Sequence, residues 1–343
     1  EFVGGRGLDV RGRIFISEHG INAQLSGPRR DAAAYAEWVQ GRDAFRDMAW
    51  RAFPALDHAF PKLVLRNKAL VSILRERELP VTSAEARAYK TSPVEWRRML
   101  EERAAAGEGE QAVVLDLRNS YEWDAGHFEG AERPEEYNFV QTPTDDGVID
   151  KLKGRSPDTP VMMYCTGGIR CDIYSTVLRE QGFTNLHTLE GGIQNYFEKE
   201  GGDGWKGSLY VFDARMAVGP SLEATDDPTT LECAAPCSLC GAQAYPPHIN
   251  CANVDCNKLA LVCPECLERY KGCCCEQCCT NPPRLLRPAK NLGYYQKWTA
   301  YADEKGEAEA RMAAGRGDGR STRRMRRRER KREAAATQAA GET

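Results

Sequence analysis

Long apolar runs are missing from this sequence. The longest, such as VMMY at 161–164 and LALV at 259–262, fall far short of the roughly 20 residues that cross a bilayer, so a soluble protein with no membrane partner is expected. No GxGxxG or Walker loop occurs, which removes the common phosphate cradles of nucleotide-binding proteins. The five histidines form no His/carboxylate facial triad of the kind that holds non-haem iron. An initiating methionine is absent too. The chain opens at Glu1 inside what reads as ongoing structure, so its true N-terminus is expected to be missing and no targeting segment can be judged.

Net charge is small, −3, but unevenly placed. Residues 320–332 (RSTRRMRRRERKR) carry nine Arg or Lys and one Glu, +8 in all, which leaves −11 for the remainder. A basic tail on an acidic body fits a nucleic-acid contact or a nuclear address, and equally a solvated disordered segment.

Cysteine is plentiful and local. Of the fourteen, twelve lie between Cys233 and Cys279, and the others are Cys165 and Cys171. Such a cluster in a small secreted domain reads as disulfides. Beside a large α/β region with an apparent reactive thiol it reads as metal ligands in an intracellular reducing compartment, with cytoplasm, chloroplast and mitochondrion left open. The spacings are CxxC (Cys237, Cys240), CxxxxC (Cys251, Cys256), CxxC (Cys263, Cys266) and CxxxC (Cys274, Cys278). Eight thiolates suit two tetrahedral, closed, structural zinc sites. Disulfides or an iron–sulfur cluster are the alternatives. Cys273 or Cys275 can stand in for Cys274, and spacing leaves sequential and cross-braced pairing equally open.

Four segments are expected: an α/β sandwich at 1–90, an α/β domain at 91–218, the cysteine-rich module at 233–282, and a tail at 283–343 that is helical or disordered. In the first, strands RIFIS and AQLSG flank a turn at Glu18–Asn22, a helix runs from Pro28 to about Gly41, and a strand lies at 63–65. In the second, Ser92, Pro93 and Glu95 make a helix start. Strands at 112–117, 160–164 and 185–189 then alternate with helices at about 170–181 and after Gly192, which predicts a parallel sheet covered on both faces.

Cys165 follows the buried strand VMMY and precedes a glycine-containing loop (Thr166, Gly167, Gly168, Ile169) and a helix. Backbone N–H groups of such a loop, the positive helix end and Arg170 together make an anion cradle. A cysteine there is expected to be thiolate-rich near neutral pH. The bland alternative is an inert buried cysteine. Cys171, six residues on, is a candidate resolving thiol.

CTGGIR resembles the CxxxxR loop of rhodanese domains, and LDLRNSYEWDAGHFEGA at 115–131 resembles their DxRxxxEYxxGHIxGA segment. That resemblance implies that Asp116, Arg118, Glu122 and His127 support the loop rather than transfer protons. GRIFISEHGINAQLSG at 12–27, YCTGGIRC at 164–171, LEGGIQNYFE at 189–198 and LYVFDARMAV at 209–218, in that order, resemble the bacterial tRNA uridine(34) hydroxylase family and its eukaryotic rhodanese-like relatives. The resemblance covers about residues 11–280. Ala23, Gln24 and Ala69 depart from the family pattern. It implies a rhodanese-like parallel sheet preceded by a truncated ferredoxin/acylphosphatase-like sandwich. It further implies tRNA as partner, molecular oxygen as co-substrate, and 5-hydroxylation of the wobble uridine with Cys165 essential. Two alternatives stand beside it: a sulfurtransferase that carries a Cys165 persulfide from a small sulfur donor, and a non-catalytic zinc-bearing interaction module.

Overall fold

The computed structural model describes residues 2–71, 78–81, 83–106, 112–142, 148–223, 225, 227, 230–253 and 256–280. The basic tail lies outside them. The chain divides into two compact units, one of residues 1–236 with 245–247, the other beginning at Cys237 and continuing from His248. Cys233 therefore lies with the first.

The first unit opens with a short helix α1 (Phe2–Gly5) and a three-stranded sheet. Strand β1 (Arg11–Ser17) pairs antiparallel with β2 (Gly20–Ser26) and, after α2 (Arg29–Gln40), parallel with β3 (Leu63–Asn67), in the order β2-β1-β3. Ser17 pairs with Gly20, so the turn is only Glu18 and His19, tighter than the sequence pattern indicated. Tyr35 and Val39 of α2 pack on Ile14 of β1, closing a small core.

A second sheet is built of β4 (Tyr89–Thr91), β5 (Val113–Asp116), β7 (Val161–Tyr164) and β8 (Leu186–Leu189), all parallel in the order β4-β8-β7-β5. Helix α3 (Pro93–Ala105) follows β4, and Ser92 Oγ caps it by accepting the Glu95 N–H at 3.3 Å. Helix α4 (Ser120–Ala125) and strand β6 (Gly126–Phe128) follow β5, α5 (Ile169–Glu180) follows β7, and α6 (Gly192–Glu200) follows β8. Strand β9 (Trp205–Gly207) pairs antiparallel with β6, and β10 (Leu209–Tyr210) with β11 (Ala217–Val218).

β5 and β7 are buried along their whole length because each face of the sheet carries its own core. Val113, Leu115, Val161 and Met163 enter one core with Tyr174, Val177 and Leu178 of α5. Val114, Met162 and Tyr164 enter the other with Trp96 of α3 and Ile193, Tyr196 and Phe197 of α6. Alternation along the strand thus points apolar side chains both ways, and the sequence reads as an unbroken apolar run. Phe128 centres the second core, with the rings of Tyr196, Tyr164 and Trp205 edge-on at 4.8, 5.0 and 5.0 Å. This packing holds the C-terminal end of β7, where Cys165 begins, fixed from behind.

In the second unit β12 (Ile249–Asn250) pairs with β13 (Leu259–Ala260), followed by α7 (Pro264–Arg269) and α8 (Glu276–Thr280). These elements are short, and cysteines occupy much of the interior. No described helix is long and apolar enough to cross a membrane.

Candidate active site and metal-binding groups

Cys165 stands where β7 ends, with its side chain buried. Gly168, at φ 91°, turns the chain from the loop into α5 and donates its N–H to Cys165 Sγ at 3.2 Å. A side chain at that φ would be strained. Gly167 has open space around it, so only the second glycine of the pair is demanded by geometry. Burial raises the Cys165 thiol, but the Cys171 hydrogen bond, the Arg170 charge and the backbone donors outweigh it and bring the group down to about 6. Cys171 moves the other way, pushed well up by burial and by its ionised neighbour.

Arg170 is anchored rather than loose at the rim. Its two terminal nitrogens donate to Glu122 of α4 at 2.7 and 2.8 Å, and Glu122 also accepts from Thr166 Oγ1 at 3.2 Å and from the Asn119 N–H at 3.0 Å. Burial raises the Glu122 carboxyl, and Arg170 more than reverses it, holding it below the usual carboxylate range. A carboxylate so saturated with donors is a tether, not a proton carrier. Asp116 and Arg118 form a second pair, both fully buried, with Arg118 Nη2 2.6 Å from Asp116 Oδ2 and also donating to the Gly126 carbonyl. It ties the end of β5 to β6. His127 donates from Nδ1 to the Trp123 carbonyl at 3.1 Å and stacks on the Trp123 ring at 3.7 Å. Ile169 packs against the core around α5.

Three contributors were not singled out from the sequence as site residues. Gly191 and Gly192 have φ of 69° and 67°, and a methyl group on Gly192 would sit 2.5 Å from the Cys165 carbonyl oxygen and 2.6 Å from that of Thr166. The start of α6 is thereby pressed against the loop, and Ile193 and Gln194 donate their N–H groups to those carbonyls at 3.1 and 3.3 Å. Arg51, far away in sequence, donates to Asn195 Oδ1 at 3.2 Å, pairs with Glu198 at 3.4 Å and lies against Gly191. The LEGGIQ motif held the first two in view. Nothing in the local sequence marked Arg51. A cavity of about 560 Å³ is lined by Leu152, Arg155, Pro157 and Phe183 among others, and by no residue of the thiol loop.

In the second unit Cys237, Cys240, Cys263 and Cys266 bring their sulfurs within 4.8 Å of one another, as do Cys251, Cys256, Cys274 and Cys278. The pairs interleave, first with third and second with fourth. A tetrahedral ion with metal–sulfur bonds of about 2.3 Å spaces its sulfurs about 3.8 Å apart. The observed separations are 3.7 Å for Cys240 and Cys263, 3.7 Å for Cys256 and Cys274, and 3.9 Å for Cys274 and Cys278. Cys263 and Cys274 also donate backbone N–H groups to Cys237 and Cys251 Sγ at 3.3 and 3.4 Å, steadying the sulfurs. Both groups fit a metal ion.

Three family descriptions match the chain: a UPF0176 acylphosphatase-like domain over residues 5–71, a rhodanese-like domain over 98–199 and a rhodanase C-terminal segment over 206–279. A protein of Protochlamydia amoebophila named tRNA uridine(34) hydroxylase is 38% identical over 280 residues, covering 81% of each chain. The chain belongs to the tRNA uridine(34) hydroxylase family. The Arabidopsis thaliana protein named rhodanese-like domain-containing protein 8, chloroplastic, is 42% identical over 339 residues, 87% of this chain and 74% of that one. Among solved structures, the rhodanese-like domain protein of Staphylococcus aureus aligns with 32% of this chain and 90% of its own, at 19% identity and a TM-score of 0.24. Family membership accounts for the three-part order of sandwich, rhodanese domain and cysteine-rich C-terminal segment.

Proposed function

We propose that this member of the tRNA uridine(34) hydroxylase family hydroxylates carbon 5 of the wobble uridine of tRNA in an oxygen-dependent reaction at Cys165. The observation that carries this reading is the identity of 38% over 81% of both chains to a relative of that name. Cys165 supplies a thiolate near neutral pH, and Gly168, Arg170 and Cys171 hold its charge. Glu122 and Thr166 fix Arg170, Asp116 and Arg118 brace the strand end, and the start of α6 keeps the loop in shape. Single-stranded anticodon bases are read by being splayed into such sites. The two four-thiol groups would each hold zinc, which supplies folding free energy in place of a core. Nucleoside mass spectrometry of tRNA from cells lacking the protein tests the reading. Loss of 5-hydroxyuridine or its derivatives is the expected result, and unchanged levels overturn it.

A sulfurtransferase activity is the second reading, favoured by the donors around Cys165 Sγ. They would stabilise a terminal persulfide anion as well as a thiolate. Thiosulfate-dependent persulfide formation on Cys165, with tRNA unchanged in the deletion strain, is the outcome that selects it.

A further inference from the structure

Helix α2 covers one face of the first sheet, where Ile14, Ile21 and Leu25 join its Tyr35 and Val39. Alternation along the strands sends the intervening residues to the other face. There the register sets Arg13 beside Gln24 of β2, and Phe15 between Asn22 of β2 and Arg66 of β3. Lys68, just past β3, holds its ammonium 3.8 Å from the centre of the Phe15 ring. Gln24 and Arg66 are exposed, and Arg13, Phe15, Asn22 and Lys68 are half-buried. These six positions carry three cations, two amides and one aromatic ring, and no acid. The acids Asp31 and Glu37 stand on α2, across the sheet. Residues 1–71 hold eleven Arg or Lys against eight Asp or Glu, whereas the chain outside them and outside the basic tail is −14. A face that is only solvated needs charge, but gains nothing from a phenyl ring and two amides set among the cations.

We propose that this face of the first sheet binds single-stranded nucleotides of the RNA substrate. That the RNA is tRNA rests on the hydroxylase reading above. Phe15 offers a ring on which one base stacks, Asn22 and Gln24 bond base edges, and Arg13, Arg66 and Lys68 take phosphates. Lys68 lies over the ring in the free protein, and its flexible side chain moves to a neighbouring phosphate as a base takes that place. Stacking on a ring and bonding of base edges both need an unpaired base, so the face holds loop rather than stem. It thereby grips the substrate without touching the reacting atoms at Cys165.

The test uses the full chain and a fluorescent, unmodified tRNA transcript, with anisotropy read at about 50 and 200 mM salt. Arg66→Gln is expected to make the dependence of log affinity on log salt shallower by about 0.7, one phosphate contact on a single strand. Arg30→Gln changes the same charge at the start of α2, where the side chain is 91% exposed, and is expected to leave the slope at the wild-type value. Phe15→Leu is expected to weaken binding roughly fivefold or more at both salt concentrations, with the slope kept. A single-stranded oligonucleotide of the anticodon loop should compete with the transcript, and the same sequence in a duplex should not. Equal slopes for Arg66→Gln and Arg30→Gln, or competition by the duplex as strong as by the single strand, overturn the proposal. Arg66 is exposed, so its variant keeps the fold and the slope comparison decides even if Phe15→Leu is unstable. In the hydroxylation assay Arg66→Gln should raise KM for tRNA and leave kcat unchanged; a fall in kcat alone overturns a role in binding. A wild-type protein that makes no 5-hydroxyuridine overturns the hydroxylase reading, while the anisotropy still decides whether this face binds RNA.

Discussion

Replacing Arg170 by methionine removes one partner of a buried ion pair and leaves the other behind. The Arg170 side chain is 15% exposed and that of Glu122 is 0% exposed. Without the guanidinium, the carboxylate keeps only the Thr166 hydroxyl and the Asn119 donors. Breaking a buried pair in this way costs about 3–5 kcal/mol, a large part of the roughly 5–15 kcal/mol that holds a typical domain. Arg170→Met combined with Glu122→Gln removes both charges and is expected to recover most of the loss. Urea denaturation followed by tryptophan fluorescence gives both numbers. The thiol adds a pH dependence. The folded Cys165 titrates near 6, below its unfolded value, so its contribution is fully present above the unfolded value and is lost as pH falls through about 6. Arg170→Met weakens that contribution, so the variant should lose more stability at pH 8 than at pH 5.5. Protonation of the stranded Glu122 at low pH acts in the same direction. A loss below about 1 kcal/mol, equal losses at the two pH values, or a double variant no better than the single one would refute the assignment of Arg170 and Glu122 as the tether of the loop.

Other outcomes follow from the same geometry. The rate of Cys165 alkylation by iodoacetamide should rise with a midpoint near pH 6, and in Arg170→Met the midpoint should move up; a wild-type midpoint near the ordinary thiol value would show that the cradle does not act on the sulfur. Gly192→Ala places a methyl 2.5 Å from the Cys165 carbonyl oxygen at a φ of 67°, so loop geometry and hydroxylation should both be lost while Gly167→Ala, with open space, leaves them near wild type; equal behaviour of the two would contradict the packing of α6 on the loop. Metal analysis of the full chain should return two zinc ions, and a strong chelator should abolish the circular dichroism and amide protection of the cysteine-rich unit; iron, or less than one equivalent of zinc, would contradict the tetrathiolate assignment.

Much of this arrangement was legible in the sequence, and the illegible parts share one physical cause. The parallel sheet and the position of Cys165 follow from local signals: a fully apolar strand, a glycine able to adopt φ 91°, and the Ser92 cap that starts α3. The eight paired cysteines were visible from spacing for the same reason. Which pairs meet depends on the path of the chain between them, and spacing says nothing of that path. Glu122 stood in a recognisable motif, but its bond to Arg170 spans 48 positions. Arg51 reaches Asn195 across 144. Such contacts leave no periodicity in the chain, only the need for a glycine at the point of approach, as Gly191 shows.

The interleaving of the cysteine pairs ties the two metal-binding groups into a single knot of chain. The segment from Cys240 to Cys263 is the loop closed by one group, and it contains Cys251 and Cys256 of the other. Opening either group therefore loosens half the ligands of its neighbour, and a nascent chain completes neither before Cys266 has emerged. Each group thus lends order to the loop that carries half of the other's ligands, so filling one is expected to favour filling the other.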